Sequence, residues 1–313
     1  MNAPFGRPVY VVGAAALTAF GMGWRGLAHR LAGGERPRTR AVPPLGSEDQ
    51  PCEPRHLKMM SRSAYLAAAA VKLVLRDAAV AALNIPPADT GYFLGVGASG
   101  GDLNELESML GESVVAEEFD LRRFGDAGLR AGNPLFAFQL MNNFTLCHAA
   151  ILAGLQGPNA AFFSRGGGTV TALREAAFAV GGGDAPLVLA GGADSALHPV
   201  TAFELARAGV TTPSEGAAVL ALAAQSNDAT PVRLLRAEVL TDGSMAPSPT
   251  GDTVCVRGTD LDAAFGHTLA AAPALAWMVA LDLLAARAAG RVRVETTGLD
   301  GVTAVIELGK EPA

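Results

Sequence analysis

Three cysteines are the strongest potential nucleophiles in this sequence. They are Cys52, Cys147 and Cys255, an odd number without the Cys-x-x-Cys or cysteine–histidine spacing of a metal site. His148 follows Cys147 directly, and neighbouring side chains diverge on a helix, so this pair is not placed to act together. We interpret Cys147 as a small buried residue. Cys52 lies in the proline-rich loop and Cys255 in a late segment, and for neither does the sequence indicate a helix N-terminus or a local pair of basic residues.

A glycine-rich turn, Ser164-Arg165-Gly166-Gly167-Gly168, separates an apolar segment from a helical pattern. Ser164 could be a nucleophile, but without a matching base we interpret it as a helix cap or turn hydroxyl. The turn could bind an anion at the helix N-terminus, with help from Arg165. The alternative is close packing of the backbone at the glycines. The lysine and spacing of a P-loop are missing, so nucleotide hydrolysis is not expected.

Patterns of apolar residues predict the elements that position these side chains. The predicted strands are residues 8–13, 91–96, 159–163, 186–190, 217–223, 232–239 and 303–307. The predicted helices are residues 24–31, 61–83, 136–155, 169–180 and 269–289. Residues 33–54 are predicted to be a surface loop, and 102–128 a helix with an exposed acidic excursion. Strands alternating with helices indicate an α/β fold with a largely parallel sheet.

Composition narrows the possible functions. The chain has 313 residues, 50% hydrophobic and 17% charged, with a net charge of −6. This favours a globular protein and, with no basic block and only 6% aromatic residues, disfavours nucleic-acid binding. The apolar run 9–22 resembles a signal peptide, but we interpret it as a buried strand, and the run 270–281 is too short to span a membrane. We therefore expect a cytoplasmic protein without metal, cofactor or membrane association.

Segments spread along nearly the whole chain resemble, in order, the β-ketoacyl synthases of the thiolase superfamily. They are VYVVGAAALTAFG, MMSRSAYLAAAA, GYFLGVGASGG, GPNAAFF, GGDAPLVLAGGADS, SEGAAVLAL, SPTGDTV and GHTLAAAPALAWMVALDLL. The resemblance implies a five-layered αβαβα fold of two related halves. We expect them at residues 1–200 and 201–313, within one compact unit. The second half is shortened relative to the family, around residues 202–214 and 240–262.

The resemblance also implies a catalytic set, most of which is changed. Family members use a cysteine at a helix N-terminus, two histidines and a lysine. The cysteine position falls at Gly166, the first histidine near Ser244 and the lysine at Asp262, whose charge would repel a malonyl carboxylate. The second histidine is retained as His267, which either faces a remnant pocket or caps the helix starting near Thr268.

A retained fold without the nucleophile resembles the chain length factors. These are non-catalytic partners of active ketosynthases in bacterial type II polyketide and aryl polyene systems, and fatty acid biosynthesis is a related setting. Their better-known members carry glutamine at the nucleophile position, whereas this chain has Gly166. The resemblance implies a heterodimer with an active β-ketoacyl synthase, paired through strand 159–163, and an acyl carrier protein as a further partner. Residues expected to line the interface or substrate tunnel are Phe136, Phe138, Phe162 and Phe163. Of the residues around the turn, Phe163, Ser164 and Arg165 are expected to bind the substrate.

Other functions remain open from the sequence. A decarboxylase of malonyl thioesters or an acyltransferase could use His267, with a bound water or Ser164. A binding module for acyl carrier protein or acyl-CoA would need Arg122, Arg123 and Arg165 to form a local basic patch, because the chain is acidic overall. A homodimer is a further alternative.

Overall fold

The computed structural model describes residues 4–98, 100–228, 230–240 and 251–311. The strands are β1 (Tyr10–Thr18), β2 (Gly21–Met22), β3 (Thr90–Val96), β4 (Val114–Val115), β5 (Glu118–Phe119), β6 (Asn159–Phe163), β7 (Leu187–Ser195), β8 (Glu215–Ala223), β9 (Val232–Leu240), β10 (Thr253–Arg257), β11 (Arg291–Thr297) and β12 (Thr303–Lys310). The α-helices are α1 (Leu27–Ala32), α2 (Pro54–Leu57), α3 (Arg62–Leu75), α4 (Ala78–Ala81), α5 (Leu103–Gly111), α6 (Leu121–Arg123), α7 (Leu129–Ala131), α8 (Phe136–Leu140), α9 (Phe144–Ala153), α10 (Gly167–Gly182), α11 (Pro199–Arg207), α12 (Gly258–Phe265) and α13 (Ala272–Ala285). A π-helical turn spans Phe124–Gly128, and 3₁₀ turns span Pro87–Asp89 and Leu269–Ala271.

Side-chain caps explain why the predicted helix 61–83 is divided in two. The Oγ atom of Ser61 accepts from the Ala64 N–H and starts α3, and the Asp77 carboxylate starts α4, so the predicted helix 61–83 forms two helices. The predicted helix 136–155 is also divided, into α8 and α9, but neither of these helices begins with a side-chain cap. The last predicted helix begins as the 3₁₀ turn Leu269–Ala271 before α13.

The main sheet is mixed, so the expectation of a largely parallel sheet was wrong. Ten strands take part, in the order β10-β11-β12-β9-β1-β8-β7-β3-β6, with β2 paired to β1. Only β10–β11, β7–β3 and β3–β6 are parallel pairs. Strand β8 is antiparallel to β7 and β1, and β12 is antiparallel to β11 and β9. Each of these two strands follows the preceding strand along the chain and returns beside it.

The sheet contains two groups of strands with a common path. In the first group β3-β7-β8-β1 pair as parallel, antiparallel and antiparallel, and β10-β11-β12-β9 repeat this pattern. The first group has a fifth strand, β6, with no counterpart in the second group among the described residues. The second half of the fold is therefore the smaller one. Since β8 belongs to the first group, we propose that the halves meet in the connection 224–231 rather than at residue 200.

Helices fill the space between and beside these groups. The helices α10 and α13 share one apolar core with strands of both groups, and α3 and α9 share a second core with the first group. This gives a helix–sheet–helix–sheet succession in the described part of the chain, which is four layers of the expected five-layered αβαβα fold. Nowhere in the described ranges is there a helix long and apolar enough to cross a membrane.

One buried carboxylate ties the first helix to α13. Asp282, 7% exposed, accepts hydrogen bonds from the backbone N–H groups of Gly26 and Ala28, each at 2.9 Å. We predict that Asp282→Ala lowers the free energy of unfolding by roughly 2 kcal/mol or more, because two backbone donors lose their partner. Urea denaturation measures this loss. In the control Glu35→Ala, which removes an exposed ion pair with Arg30, the change should stay within about 0.5 kcal/mol.

Candidate functional site

The glycine-rich turn connects β6 to α10. Gly166 is the residue before the helix and has a φ of 148°, a conformation that favours glycine. The hydroxyl oxygen of Ser164 accepts hydrogen bonds from the N–H groups of Gly166, at 3.1 Å, and Gly168, at 2.6 Å. Ser164 is therefore a turn and capping residue, as the sequence indicated.

A second turn, residues 298–301 between β11 and β12, lies directly against the first. The N–H of Leu299 donates to the Arg165 carbonyl at 3.2 Å. The Asp300 carboxylate accepts from the N–H of Gly167, the first residue of α10, at 3.4 Å. A Cβ atom on Gly166 would lie 2.6 Å from the Cα of Gly298. The chain's own carboxylate and hydroxyl thus occupy the helix N-terminus, where free N–H groups would otherwise attract an external anion.

The cavity beside this contact is very small. Its volume is about 30 Å³, which holds no more than a few water molecules. It has no room for an acyl chain. Its lining residues are Arg165, Gly166, Gly258, Asp262, His267, Leu269, Ala272, Pro273, Thr296, Thr297, Gly298 and Leu299.

His267 and Asp262 form an ion-pair-like contact on one side of the cavity. The Nδ1 atom of His267 lies 3.5 Å from the Asp262 Oδ2 atom, and both side chains are 27% exposed. Burial raises the pKa of Asp262, and the nearby imidazole partly opposes that rise. Of the two alternatives for His267, the geometry favours the one in which it faces the cavity, because its ring is directed to Asp262 and the 3₁₀ turn begins after Thr268. The structure thus brings Gly166, Asp262 and His267 around one cavity.

Arg165 and the phenylalanines expected at the interface or tunnel lie in different environments. Arg165 forms an ion pair with Glu204 at 3.0 Å, so its guanidinium is not directed at the helix N-terminus. Phe163 is 61% exposed at the end of β6, while Phe136 is buried. Phe138 packs on Phe144 with ring centroids 4.7 Å apart, beside an apolar cavity of about 250 Å³. Ser244, expected at the first histidine position, lies outside the described residues.

The cysteines have no activating environment. Burial raises the pKa of the Cys147 thiol. Burial and the Glu53 carboxylate raise that of Cys52. Cys255 is exposed on β10, away from the turn before α10. A raised thiol pKa lowers the thiolate fraction at neutral pH, which is the opposite of what a catalytic cysteine requires.

A buried carboxylate that the sequence analysis missed holds the 3₁₀ turn that follows His267. Asp194 on β7 is fully buried and accepts from the N–H groups of Ser195, at 2.8 Å, and Ala270, at 3.2 Å. Burial raises the pKa of Asp194 to about 7. A Cβ atom on Gly97 would lie 1.7 Å from this carboxylate, so glycine is needed there. The available signal was an acidic residue directly after the apolar run 187–193.

Comparisons with known proteins agree on the family. The β-ketoacyl synthase N-terminal domain family matches residues 48–228, more than half of the chain. Curated protein sequences give no match. The chain therefore belongs to the β-ketoacyl synthase family.

Solved structures of this class share the fold. The ishigamide ketosynthase/chain length factor is 22% identical, with a TM-score of 0.72 over 96% of this chain and 99% of that one. AntDE:AntF, a type II polyketide acyl-carrier protein in complex with its ketosynthase bound to the hexaketide, is 12% identical, with a TM-score of 0.76 over 97% and 99%. A β-ketoacyl synthase from Burkholderia phymatum STM815 is 17% identical, with a TM-score of 0.73 over 98% and 100%. The likeness establishes the thiolase-like ketosynthase fold.

Asp194 should make stability depend on pH. Its pKa is raised in the folded chain from an ordinary value of 3.8 to about 7, so the folded state keeps a proton that the unfolded state releases. The contribution of Asp194 to stability should therefore fall as pH rises from about 4 to about 7, by up to about 1.4 kcal/mol per pH unit.

Urea denaturation of the wild type and Asp194→Asn between pH 5 and pH 8.5 measures this dependence. The difference in the free energy of unfolding between the two proteins should change across pH 5–7 and level off above. The exposed Asp89→Asn serves as the control, with no such change expected. A constant difference for Asp194→Asn would mean that the buried carboxyl does not titrate in this range.

Proposed function

We propose that this chain is a non-catalytic, chain-length-factor-type partner of an active β-ketoacyl synthase, and that it acts in bacterial type II polyketide biosynthesis. The observation that carries the proposal is the closed turn-on-turn contact between Gly166 and Gly298. A condensing enzyme needs a thiol here with open space for a thioester and unpaired N–H groups for the oxyanion. This chain has a glycine, a cavity of about 30 Å³ and a helix N-terminus paired with Ser164 and Asp300.

The His267–Asp262 contact does not by itself supply a reaction. An imidazole could assist decarboxylation only if a malonyl thioester reached it. The small cavity and the Asp262 carboxylate both oppose an anionic substrate at this position. These features favour the partner function over a decarboxylase or acyltransferase that uses His267.

An open strand edge supports association with another subunit. Strand β6 ends the sheet and pairs only with β3 among the described strands. The Ser164 N–H donates to the Val96 carbonyl, and the Pro158 carbonyl accepts from the Tyr92 N–H. Because a parallel ladder alternates, residues 158, 160, 162 and 164 face β3 while 159, 161 and 163 direct their backbone groups outward. Such an edge is a template for strand addition from a partner.

The solved relatives suggest which partners to test. One is a ketosynthase/chain length factor, and another is an acyl-carrier protein in complex with its ketosynthase. By analogy, we propose an active ketosynthase as the direct partner in a heterodimer and an acyl carrier protein as the carrier of the substrate. We also propose a cytoplasmic location. An aryl polyene or fatty acid pathway is the alternative to the polyketide pathway.

The purified chain should neither accept an acyl group nor decarboxylate a malonyl group. We expect no mass increase after incubation with acyl- or malonyl-acyl carrier protein, and no loss of carbon dioxide from the malonyl carrier. Gly166→Cys should also remain unmodified, because a side chain there meets Gly298 and an unfavourable φ. Intact-mass spectrometry measures both, with an active ketosynthase as the positive control. An adduct on the wild type would reveal a nucleophile at another residue, such as Ser164 or Cys147.

Blocking the outward edge of β6 should prevent subunit pairing. Ala161→Pro removes an N–H that points away from β3, so the chain should fold while losing strand addition. Ala161→Ser keeps this N–H and is the matched control. Size-exclusion chromatography with light scattering, after co-expression with the ketosynthase encoded nearest in the genome, should show a complex for the wild type and the serine variant only. A folded proline variant that still pairs would place the interface elsewhere.

A further inference from the structure

A second cavity lies at the opposite end of α13 from the candidate site, and we name it the distal pocket. Ala272 and Pro273, at the start of α13, line the candidate cavity, whereas Leu281 and Ala285, near its end, line the distal pocket. Ala272 and Ala285 are about 20 Å apart along the helix axis. The volume of the distal pocket is about 310 Å³, which is enough for a small organic molecule.

The distal pocket lies where the two groups of strands separate. Strand β9 pairs with β1 only at Tyr10 and Val11, so the β1 backbone that follows borders the pocket. The Trp24 indole N–H donates to the Ala14 carbonyl of this backbone at 3.1 Å, and the ring forms part of the wall. Strands β9 and β12 of the second group contribute the facing wall. Small-molecule sites are frequent at such junctions between parts of a fold.

A bulge in β1 brings a carboxylate to the pocket. The register of β1 with β8 shifts between Val11 and Gly13. A Cβ atom on Gly13 would lie 2.3 Å from the Val80 Cγ2 atom, so glycine allows α4 to pack directly on the strand. The Asp77 carboxylate, which accepts from the Ala79 N–H at 2.9 Å at the start of α4, therefore lies in the pocket wall. Bulges recur next to functional sites because they redirect neighbouring side chains.

Three cationic side chains line the pocket without a carboxylate partner. Arg25, Arg287 and Lys310 take part in no ion pair within the described ranges of the chain. The wall also contains two carboxylates, Asp77 and Asp228, so it carries three positive and two negative charges. In a chain whose net charge is −6, this local excess of positive charge favours an anionic ligand.

Arg287 has a backbone conformation that costs stability. It follows α13 and has a φ of 57°. The Arg287 N–H donates to the Leu284 carbonyl at 3.0 Å, and the Ala288 N–H donates to the Leu283 carbonyl at 3.1 Å. This is the Schellman arrangement, in which glycine is the usual residue at the left-handed position. Because a side chain is costly there and such strain is concentrated at functional sites, an arginine at this position indicates a use for its guanidinium group.

We propose that the distal pocket binds a small phosphate ester. The phosphate group lies among Arg25, Arg287 and Lys310, and hydroxyl groups of the ester donate to the carboxylates of Asp77 and Asp228. A phosphate monoester carries close to two negative charges at neutral pH, and guanidinium groups bind its oxygens in pairs. A single carboxylate would leave part of the cationic wall unmatched. This site lies outside the proposed partner function and does not depend on it.

Tryptophan fluorescence measures binding to the distal pocket. Trp24 is part of the wall, with the Arg25 guanidinium 4.5 Å from its ring centroid, whereas the second tryptophan, Trp277, is fully buried. Ribose 5-phosphate should change the emission of the wild type until it saturates, and ribose without phosphate should not. Isothermal titration calorimetry gives the affinity. Tighter binding of adenosine monophosphate would identify a nucleotide as the source of the phosphate ester, and tighter binding of ribose 5-phosphate would identify a sugar phosphate.

The variant Arg287→Gly separates binding from stability. Glycine removes the guanidinium group and the strain together, so the affinity for ribose 5-phosphate should fall on the order of tenfold or more while the urea midpoint of unfolding rises. Lys310→Gln should also lower the affinity. Arg122→Ala removes an exposed arginine of α6, far from the pocket in the sequence, and is the matched control in which neither quantity should change.

Absence of saturable binding for both phosphate esters would overturn the proposal. The same conclusion would follow if malonate, a dianion without phosphate, bound as tightly as ribose 5-phosphate, or if Arg287→Gly and Lys310→Gln both bound like the wild type. A lower urea midpoint for Arg287→Gly would mean that the arginine serves folding, which also contradicts the proposal. None of these measurements uses a ketosynthase, so their outcome is independent of the proposed partner function.

Discussion

The two halves of the fold are joined by a close approach of backbone that only glycine permits. Thr169 of α10 donates its hydroxyl to the Ala270 carbonyl, and Asp194 accepts from the Ala270 N–H. A Cβ atom on Gly95 would lie 1.9 Å from the Thr169 hydroxyl, and one on Gly192 would lie 2.4 Å from the Ala270 carbonyl. The helix after the glycine-rich turn and the turn after His267 therefore sit directly on the first group of strands. These contacts position both the glycine-rich turn and His267 at the candidate site.

The same contact between the halves explains how two glycine-containing turns close the candidate site. The halves bring the turn before α10 and the turn between β11 and β12 face to face, and a side chain at either glycine would separate them. With glycine at both 166 and 298, the two backbones come into contact. Leu299 and Asp300 then pair with Arg165 and Gly167, in the space that a substrate would need. Gly166 is thus part of a backbone contact that a side chain at this position would disrupt.

Local patterns in the sequence predicted some of the elements that surround the site, but not all of them and not their arrangement. Strand β6 matches the predicted residues 159–163, because an apolar run between Gly157-Pro158 and a glycine-rich turn has little alternative. The strands β10 and β11 were missed, although the alternation of arginine and valine in 291–294 was a usable signal. The turn-on-turn contact joins residues more than 130 positions apart, so no local pattern could reveal it. The role of Asp194 was hidden for the same reason, since one of its partners is the backbone of Ala270, 76 positions away.

The distribution of open and closed surfaces argues that the stable form of this protein is an assembly. An edge strand with outward N–H groups is a liability for aggregation in a lone subunit. Strand β6 lacks the usual defences against edge pairing, because it has no charged residue, no proline and no bulge. The turn before α10 is closed by contacts within the chain, with Asp300 accepting from Gly167 and the Leu299 N–H donating to Arg165, while the outward edge of β6 is left open. This contrast between a closed turn and an open edge supports the proposed partner function.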